Sequence, residues 1–561
     1  MTTPMTTQWT SANGIVLGDL VPAPLRRRWV ERGYCSDQDL YTLFSEHVRA
    51  RPQQTAVIDA AGAIDYATLD TRVRRIAAAL AEAGLGPHDI IGIQVPNGWR
   101  AVAAELAVAA VGAVALPYPA GRGRRDSVSL LGRSRASAAI VADVAGQVPL
   151  AANLAAQRRA LPDLRTVFVF GATPDGCEPL DRWLAGDNAA GRRRWHPVPV
   201  DPEAPARILV TSGSEAEPKM IAYSHNAMGG GRGNYIGALH DGSDPMRNLI
   251  LVPLASSYGS CGTSVTLARH GGAVLLLDAF DPAAALRMIT DHRPTHVFGV
   301  PTMLRRMADL PRTPGEDLSS LRAVVTSSSL LHTATTQACR ARFGAPVINI
   351  YGSADGINCH TAGGSCGSEA CVGRPDPTVA EIRITDAAGQ PVPAGQDGEI
   401  WAFGPMTPLC YVNAPELDAR YRPPGGWVRS GDRGLLDQDG CLHYVDRLKQ
   451  VVIRGGYNIS PAEVERQINV HPVIADAACV AVADTDLGER LCVCVVQRPG
   501  TAPLALTELN AFLEGERGLE RKKLPELLVA LAELPLGATG KLCRQTLTRL
   551  AAAAQGCSAQ P

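Results

Sequence analysis

The chain has 561 residues, which is too long for one ordinary domain and predicts several structural units. It is 46% hydrophobic and 19% charged, and its net charge of −1 gives no electrostatic reason to expect a nucleic acid or an anionic membrane as partner. Its start lacks the cationic and apolar segments of a secretory signal, and its most apolar run, residues 101–116, is too short to cross a bilayer.

Apolar runs alternate with amphipathic segments from residue 55 to residue 350. Helices are predicted over residues 66–83, where Gly84 can end the helix, and over residues 101–111. Strands are predicted at residues 56–58, 90–95, 138–141, 166–170, 208–210, 249–252, 273–277, 296–298, 323–325 and 347–350. Repeated βα units of this kind predict an α/β fold with mainly parallel sheets and helices on both faces.

The second half of the chain has two smaller patterns. Between residues 379 and 403 the strands shorten and Gly and Pro turns multiply, as in a small antiparallel or barrel-like unit. Another small α+β pattern begins after about Leu448 and continues to about Leu550. We therefore expect large βα-layered units first, then a small β-rich unit, and a small α+β unit at the end.

The stretch TSGSEAEPK at residues 211–219 lies between two apolar runs. Its candidate phosphate-binding residues are Thr211, Ser212, Gly213, Ser214 and Lys219. Such a loop suits an anion, because backbone N–H groups, hydroxyls and an ammonium can all donate to phosphate oxygens. Taken alone, the stretch also fits a surface turn rich in Ser and Thr, and it lacks the G-x-x-x-x-G-K-[ST] pattern of P-loop proteins.

Lysine is scarce in this chain. Only five of the 54 basic residues are lysine, at positions 219, 449, 522, 523 and 541. A sequence that uses arginine for nearly every surface cation has little need of lysine as a general solubilising residue. The remaining lysines are therefore candidates for tasks that need a compact, movable ammonium.

Five further motifs follow in order: NIYGSAD (349–355), SGD (430–432), DRLK with RGGYNISP (446–461), KLP (523–525) and LPLGATGK (534–541). Together with the loop at 211–219, they resemble the adenylate-forming superfamily of acyl-CoA synthetases, adenylation domains of nonribosomal peptide synthetases and luciferases. The resemblance covers roughly residues 40–550, and four of the five lysines fall on its motifs. Segments 28–34, 94–97 and 116–120 look like those of stand-alone aryl-acid ligases of siderophore pathways.

The resemblance implies a particular domain organisation. Residues 1–447 would form an adenylation core of two βα-layered subdomains and a small β-barrel, which binds ATP and the acid. Residues 448–561 would form a small mobile α+β domain that carries the catalytic Lys541, with Lys449 as the hinge. Gly455 and Gly456 would line the pantetheine channel, where side chains would obstruct the passage.

The implied reaction has two steps and uses ATP with Mg²⁺. A carboxylate attacks the α-phosphate, which leaves an acyl-adenylate, and a phosphopantetheine thiol of CoA or of a separate carrier protein acting in trans then takes the acyl group. Lys541 would bridge the carboxylate and the α-phosphate, Lys219 would hold phosphate oxygens, and Asp355 would hold Mg²⁺. The implied ATP-binding residues are Thr211, Ser212, Gly213, Ser214, Lys219, Tyr351, Gly352, Ser353, Asp432 and Arg447.

Several positions depart from the family pattern. The family's phosphate loop usually reads Ser-Thr-Gly before its Pro-Lys, whereas here residues 214–217 are Ser-Glu-Ala-Glu, which removes the Thr donor and the Gly and adds two carboxylates. Ser256 replaces the usual His, and Ser257 stands where aryl-acid ligases place an Asn. The predicted acyl-pocket residues are Ser256, Ser257, Tyr258, Ser328, Ser329 and Ala354. Because the motif lysines and acids remain, we expect a site retuned for an aryl acid, a heteroaryl acid or a small amino or polar acid.

The 14 cysteines have no framework spacing, which is typical of reduced thiols in a cytoplasmic protein. Four soft ligands, Cys359, His360, Cys366 and Cys371, lie close together just after Asp355. They could bind zinc, but their spacing fits no common zinc knuckle. Packing of free cysteines beside the acyl pocket is the simpler interpretation.

Other functions remain open at this point. An adenylating enzyme could pass its activated group to an amine, or use a nitrogen-oxide species, instead of a thiol. A catalytically impaired homologue would bind nucleotide without releasing AMP. We expect the acid–thiol ligase, with a small carboxylic acid as substrate and neither a nucleic acid nor a membrane as partner.

Overall fold

The computed structural model describes residues 7–185, 195–211, 218–240, 245–327, 331, 333–363, 370–448, 452–454, 457–484, 487–537 and 540–558. The predicted site residues that lie outside these ranges are Ser212, Gly213, Ser214, Ser328, Ser329, Cys366, Lys449, Gly455 and Gly456. The acidic residues Glu215 and Glu217 of the phosphate loop lie outside them as well.

The α-helices alternate with strands through most of the described chain. In chain order they are α1 (Ala23–Glu31), α2 (Leu40–Ala50), α3 (Tyr66–Glu82), α4 (Trp99–Ala110), α5 (Arg124–Arg133), α6 (Leu150–Gln157), α7 (Leu180–Ala185), α8 (Gly233–Gly237), α9 (Pro282–His292), α10 (Pro301–Asp309), α11 (Thr333–Phe343), α12 (Pro415–Tyr421), α13 (Pro461–Ile468), α14 (Leu506–Gly515) and α15 (Arg544–Ser558). Two π-helical segments, Ala227–Arg232 and Gly262–Arg269, flank α8 on either side in the chain. Helix α3 ends just before Gly84, whose φ of +71° turns the chain away, as predicted.

The strands in the first half are β1 (Gln8–Thr10), β2 (Val16–Gly18), β3 (Thr55–Asp59), β4 (Gly62–Asp65), β5 (Ile90–Gln94), β6 (Val114–Pro117), β7 (Ala138–Ala142), β8 (Thr166–Phe170), β9 (Glu178–Pro179), β10 (Pro205–Val210), β11 (Met220–Ser224), β12 (Arg247–Ile250) and β13 (Ala273–Leu276). Those that follow are β14 (His296–Gly299), β15 (Ala323–Ser327), β16 (Val347–Ser353), β17 (Ile357–His360), β18 (Glu381–Thr385), β19 (Gly398–Phe403), β20 (Cys410–Tyr411), β21 (Val428–Leu436), β22 (Leu442–Arg447), β23 (Val452–Arg454), β24 (Tyr457–Ile459), β25 (Ile474–Asp484), β26 (Gly488–Gln497) and β27 (Leu527–Ala530). Each predicted strand overlaps an observed one.

Two eight-stranded sheets form the large first part of the fold. The first has the order β20-β11-β10-β6-β5-β7-β8-β9 and is parallel from β10 to β9. The second has the order β17-β16-β15-β14-β12-β13-β3-β4 and is parallel from β16 to β3. All residues of β5, β7 and β14 are buried, because helices cover both faces of a parallel sheet, and these strands are apolar apart from Gln94 and His296 at their ends.

Two smaller sheets follow. Strands β18-β19-β21-β22 form a four-stranded antiparallel sheet, which corresponds to the small β-rich unit expected after residue 379. The last sheet has the order β24-β23-β26-β25, with β27 parallel to β26, and it packs with α13, α14 and α15. A mixed α/β fold with a large N-terminal domain and a small C-terminal domain is therefore confirmed. No helix within the described ranges is long and apolar enough to cross a membrane.

A buried ion pair ties the two large sheets together. The Arg207 guanidinium in β10 donates to Glu105 in α4 and, at 2.8 Å, to the carbonyl of Leu254, which follows the second-sheet strand β12. Both side chains are almost fully buried. Burial raises the pKa of Glu105 while the Arg207 charge opposes that rise, so the pair depends on both partners.

Candidate active site

A cleft of about 1820 Å³ opens where both large sheets, the antiparallel sheet and the C-terminal unit meet. The strand ends and connections of the parallel sheets contribute Thr211, Lys219, Tyr351 and Asp355, as ligand sites in parallel α/β sheets commonly do. The predicted residues that line this cleft are Thr211, Lys219, Ser256, Ser257, Tyr258, Tyr351, Gly352, Ser353, Ala354, Asp355, Asp432, Arg447 and Lys541. Residues from five of the six motifs, together with residues 256–258, therefore meet at one site.

Tyr351, Asp432 and Arg447 form a connected group on one wall. Asp432 and Arg447 face each other across the β21–β22 pair, where the Arg447 Nε donates to Asp432 Oδ1 at 3.0 Å. The Tyr351 hydroxyl donates to Asp432 Oδ2 at 2.8 Å. Burial raises the pKa of Asp432, while Arg447 and the two hydrogen bonds oppose this, and the Asp432 charge in turn raises the pKa of Arg447. The group thus holds one buried carboxylate at a fixed position.

A second aromatic ring, Tyr444 in β22, packs beside Tyr351. The ring centres are 5.6 Å apart and the planes are tilted by 40°. This contact fixes the plane of Tyr351 at the edge of the cleft. Tyr444 was not predicted, because only tertiary packing brings β22 beside the strand that carries Tyr351.

Asp355 is held by two hydroxyl groups. Ser353 Oγ donates to Asp355 Oδ2 at 2.5 Å, and the Tyr411 hydroxyl donates to Asp355 Oδ1. Tyr411 lies in β20, on the edge of the other large sheet, and its pKa is raised by burial and by the Asp355 charge. Each carboxylate oxygen keeps a lone pair for a further ligand. Tyr411 was not predicted, because 56 residues separate it from Asp355.

Lys219 lies at the base of the predicted phosphate loop. Its backbone N–H donates to Thr211 Oγ1 at 3.0 Å, and its carbonyl accepts from the Thr211 N–H at 3.0 Å, so the two ends of the loop are joined. The Nζ lies 3.8 Å from the ring centre of Tyr421 and 5.6 Å from that of Tyr411. The ammonium is thereby held beside the hydroxyl that binds Asp355.

Two arginines also support the base of this loop. Arg122 Nη2 donates to the Thr211 carbonyl at 2.6 Å, and Arg133 Nη2 donates to the Pro218 carbonyl at 2.5 Å. Neither was predicted, since both come from the segment around α5, about 85 residues earlier in the chain. The loop base is therefore surrounded by three cations.

Lys541 reaches the same cleft from the C-terminal unit. Its loop is closed by the bridge between Leu536 and Leu542, and it turns at Gly540, whose φ is +76°. A Cβ at Gly540 would lie 2.8 Å from Met303 Cε in α10, so glycine permits this close approach to the large domain. Burial and the positive charge of Arg447 lower the pKa of Lys541 to about 8.

The predicted acyl-pocket residues divide into two kinds. Ser256 and Tyr258 contact backbone groups: Ser256 Oγ accepts from the Gly259 N–H at 2.9 Å, and the Tyr258 hydroxyl donates to the Val325 carbonyl at 3.0 Å. Ser257 instead meets the side chain of Arg232, a residue that the sequence analysis did not single out. The carbonyl of Ala354 accepts from the Tyr223 hydroxyl at 2.7 Å.

The candidate zinc ligands do not assemble in the described part of the chain. No group of three or more His, Cys, Asp or Glu side chains there is placed to hold a metal. Cys359 is a buried free thiol, and burial raises its pKa to about 12, as expected for a packed cysteine. Cys371 is disulfide-bonded, which corrects the expectation that every thiol is reduced.

Comparisons with known proteins agree with the order of the motifs. Residues 44–412 match the family model of the AMP-binding enzymes, and residues 463–541 match that of the AMP-binding enzyme C-terminal domain. The salicyl-AMP ligase / salicyl-S-ArCP synthetase of Mycobacterium tuberculosis is 32% identical over 96% of this chain and 96% of that protein. The 2-hydroxy-7-methoxy-5-methyl-1-naphthoate–CoA ligase of Streptomyces carzinostaticus is 29% identical over 94% of this chain and 95% of that protein.

A solved structure shows the same architecture. The amide bond synthetase McbA from Marinactinospora thermotolerans is 30% identical and superposes with a TM-score of 0.77, covering 90% of this chain and 99% of that chain. The AMP-binding family model alone matches more than half of the 561 residues. This chain therefore belongs to the family of AMP-binding enzymes.

Proposed function

We propose that this protein uses ATP to activate a small carboxylic acid as an acyl-adenylate and passes the acyl group to a phosphopantetheine thiol of CoA or of a carrier protein. The observation that carries the proposal is the position of Lys541. It comes from the C-terminal unit, yet it lies close enough to Arg447 for that charge to lower its pKa. The same cleft contains Asp432, Lys219 and Asp355.

The first step brings two anions together. A carboxylate oxygen of the acid attacks the α-phosphorus, the bond from that phosphorus to the bridging oxygen of the β-phosphate breaks, and pyrophosphate leaves with the electron pair. Protonated Lys541 contacts both the carboxylate and the α-phosphate and offsets their repulsion. Lys219 neutralises charge on the departing pyrophosphate.

The nucleotide contacts follow from the group around Asp432. Its carboxylate accepts hydrogen bonds from the ribose hydroxyls with the lone pairs that Tyr351 and Arg447 leave free. Arg447 keeps the carboxylate ionised in a buried site, and the Tyr351 ring packs against the adenine. These assignments are supported by the geometry of the three residues.

Asp355 suits Mg²⁺ in its chemistry. Mg²⁺ commonly binds through one or two carboxylates together with phosphate oxygens and water, and Asp355 offers one buried carboxylate beside the loop base. When bound, the ion would neutralise phosphate charge. Ser353 and Tyr411 orient the Asp355 carboxylate through their hydroxyls.

In the second step, the phosphopantetheine thiol must reach the acyl-adenylate in the same cleft. We place the domain boundary between residues 447 and 448, with the C-terminal unit mobile. This is supported by the sheets, because β22 ends at Arg447 in the antiparallel sheet and β23, starting at Val452, belongs to the C-terminal sheet. The roles of Lys449 as hinge and of Gly455 and Gly456 as channel lining rest on the family resemblance.

The test is acid-dependent release of AMP and pyrophosphate across aryl, heteroaryl and small polar acids. Lys541→Ala should abolish release, whereas Lys522→Ala, which changes an exposed lysine, should leave it intact. Product analysis with CoA, a phosphopantetheinylated carrier protein and simple amines then identifies the acceptor. ATP binding without acid-dependent AMP release for every acid would instead indicate an impaired homologue.

A second candidate is ATP-dependent amide formation. It is favoured by the structural similarity to the amide bond synthetase McbA, which extends over 99% of that chain. An amine would then attack the acyl-adenylate in place of the thiol, with release of AMP. Formation of an amide, but no thioester, from the same acid would decide for this alternative.

A further inference from the structure

Arg232 lies on the acyl side of the cleft, at the end of a segment with unusual backbone geometry. It ends the π-helical segment Ala227–Arg232, which contains three consecutive glycines. A Cβ at Gly230 would lie 2.7 Å from Cys35 Sγ, and one at Gly231 would lie 2.2 Å from the backbone nitrogen of Met406. Only glycine allows this close packing, which fixes the backbone position of Arg232. π-Helical turns such as this one are frequent at functional sites.

The Arg232 guanidinium is buried, and the described part of the chain provides no counter-charge for it. It is 2% exposed and donates from Nη1 to the Ser257 carbonyl at 3.1 Å and from Nη2 to Ser257 Oγ at 3.3 Å. Within the described residues its Nε has no hydrogen-bond partner, and no carboxylate lies within ion-pair distance. The neighbouring buried acid, Glu105, is already bound by Arg207. An unpaired buried cation is costly, so a ligand that supplies the anion would remove that cost.

The surroundings of Arg232 suit a polar substituent of the substrate. The same cleft is lined by Ser257, Tyr235 and Ser327, which offer hydroxyl groups. The guanidinium also lies over the ring of Tyr223, with 5.2 Å to the ring centre, so its orientation is restricted. A guanidinium held in this way can donate to two oxygens of one carboxylate.

We propose that Arg232 determines acid specificity and that the substrate acid carries a second anionic group, most simply a second carboxylate, which binds this guanidinium. The inference rests on the proposed adenylation. Lys541 supplies the cation for the reacting carboxylate, and Arg232 supplies a separate one beside Ser257. A monocarboxylic acid of the same shape would bring no anion to Arg232, and it is therefore the poorer substrate.

The experiment compares matched acids that differ only in the second carboxylate. Benzoate is paired with 1,2- and 1,3-benzenedicarboxylate, and propionate with succinate, and kcat/KM for AMP release is measured with each. The wild type should favour a dicarboxylate over its monoacid by about tenfold to a hundredfold. Arg232→Met should reduce that ratio to about one mainly through KM, and Arg232→Lys should retain part of it. Arg49→Met, which changes an exposed arginine, should keep the wild-type ratio.

Binding is measured separately by calorimetric titration of the same acids in the presence of AMP. If no acid supports AMP release but a dicarboxylate binds the wild type better than Arg232→Met, adenylation fails and the role of Arg232 stands. Equal or weaker binding and turnover of the dicarboxylates by the wild type would overturn that role. The role of Arg232 would also be overturned if Arg232→Lys or Arg232→Met kept the wild-type ratio of kcat/KM between dicarboxylate and monoacid. The melting temperature checks that each variant is folded.

Discussion

Activity should fall as the pH rises through about 8, because Lys541 loses its proton there. The pKa of Lys541 is lowered to about 8 by burial and by the Arg447 charge. The proposed mechanism needs the protonated form, since only the ammonium can offset the charge of the carboxylate and the α-phosphate. Activity is therefore fully present below the lowered pKa and is lost above it. An unperturbed lysine would titrate only near pH 10.4.

The size of the effect follows from the protonated fraction. Each pH unit above the pKa of about 8 lowers the fraction of protonated Lys541 about tenfold, so kcat/KM should be reduced about tenfold at pH 9 and about a hundredfold at pH 10. The profile of kcat/KM is the relevant one, because it reports the pKa values of the free enzyme. Bound ATP adds negative charge beside the ammonium, so the corresponding limb in kcat should lie at higher pH.

The assay is continuous pyrophosphate release at limiting acid, from about pH 6 to about pH 10, with protein stability checked at each pH. Lys541→Arg should be slow and should lack the limb near pH 8, because arginine stays protonated. Lys522→Arg should keep both the rate and the limb. A wild-type profile that stays flat to pH 10, or an unchanged limb in Lys541→Arg, would refute the assignment.

Three further substitutions test the other parts of the structure. Asp432→Asn should raise KM for ATP about tenfold to a hundredfold, with a smaller effect on KM for the acid, because it weakens the charge-assisted contacts of the nucleotide group. Glu105→Gln should lower the free energy of unfolding by about 3–5 kcal/mol in urea denaturation, since it leaves the buried Arg207 charge unpaired. Gly231→Ala should lower the melting temperature and the activity together, because the added Cβ would lie 2.2 Å from a backbone nitrogen.

Matched controls separate these effects from general ones. Asp439→Asn and Glu82→Gln change exposed acids, and Gly515→Ala adds a Cβ where nothing lies within 4 Å. Equal KM values for ATP in the Asp432 and Asp439 variants would contradict the nucleotide role. Equal unfolding free energies for the Glu105 and Glu82 variants would show that the ion pair contributes nothing measurable.

Local patterns in the sequence determined the elements and the family. Apolar runs placed the strands, because strands covered on both faces must be apolar throughout, and residues 166–170 were predicted with the observed bounds. The ordered motifs identified Tyr351, Asp432 and Lys541, since each motif is a short continuous stretch whose residue types reflect its chemistry. The structure places all three in one cleft.

Tertiary structure alone decided which side chains meet. Tyr411 binds Asp355 across 56 residues, and Arg207 binds Glu105 across 102 residues, from different elements. Arg232 reaches Ser257 only because the glycine segment packs against backbone elsewhere in the chain. Periodicity and motif spacing indicate the face on which a residue lies. They do not indicate which partner sheet order and close packing bring to that face. These contacts could therefore not be predicted from the sequence.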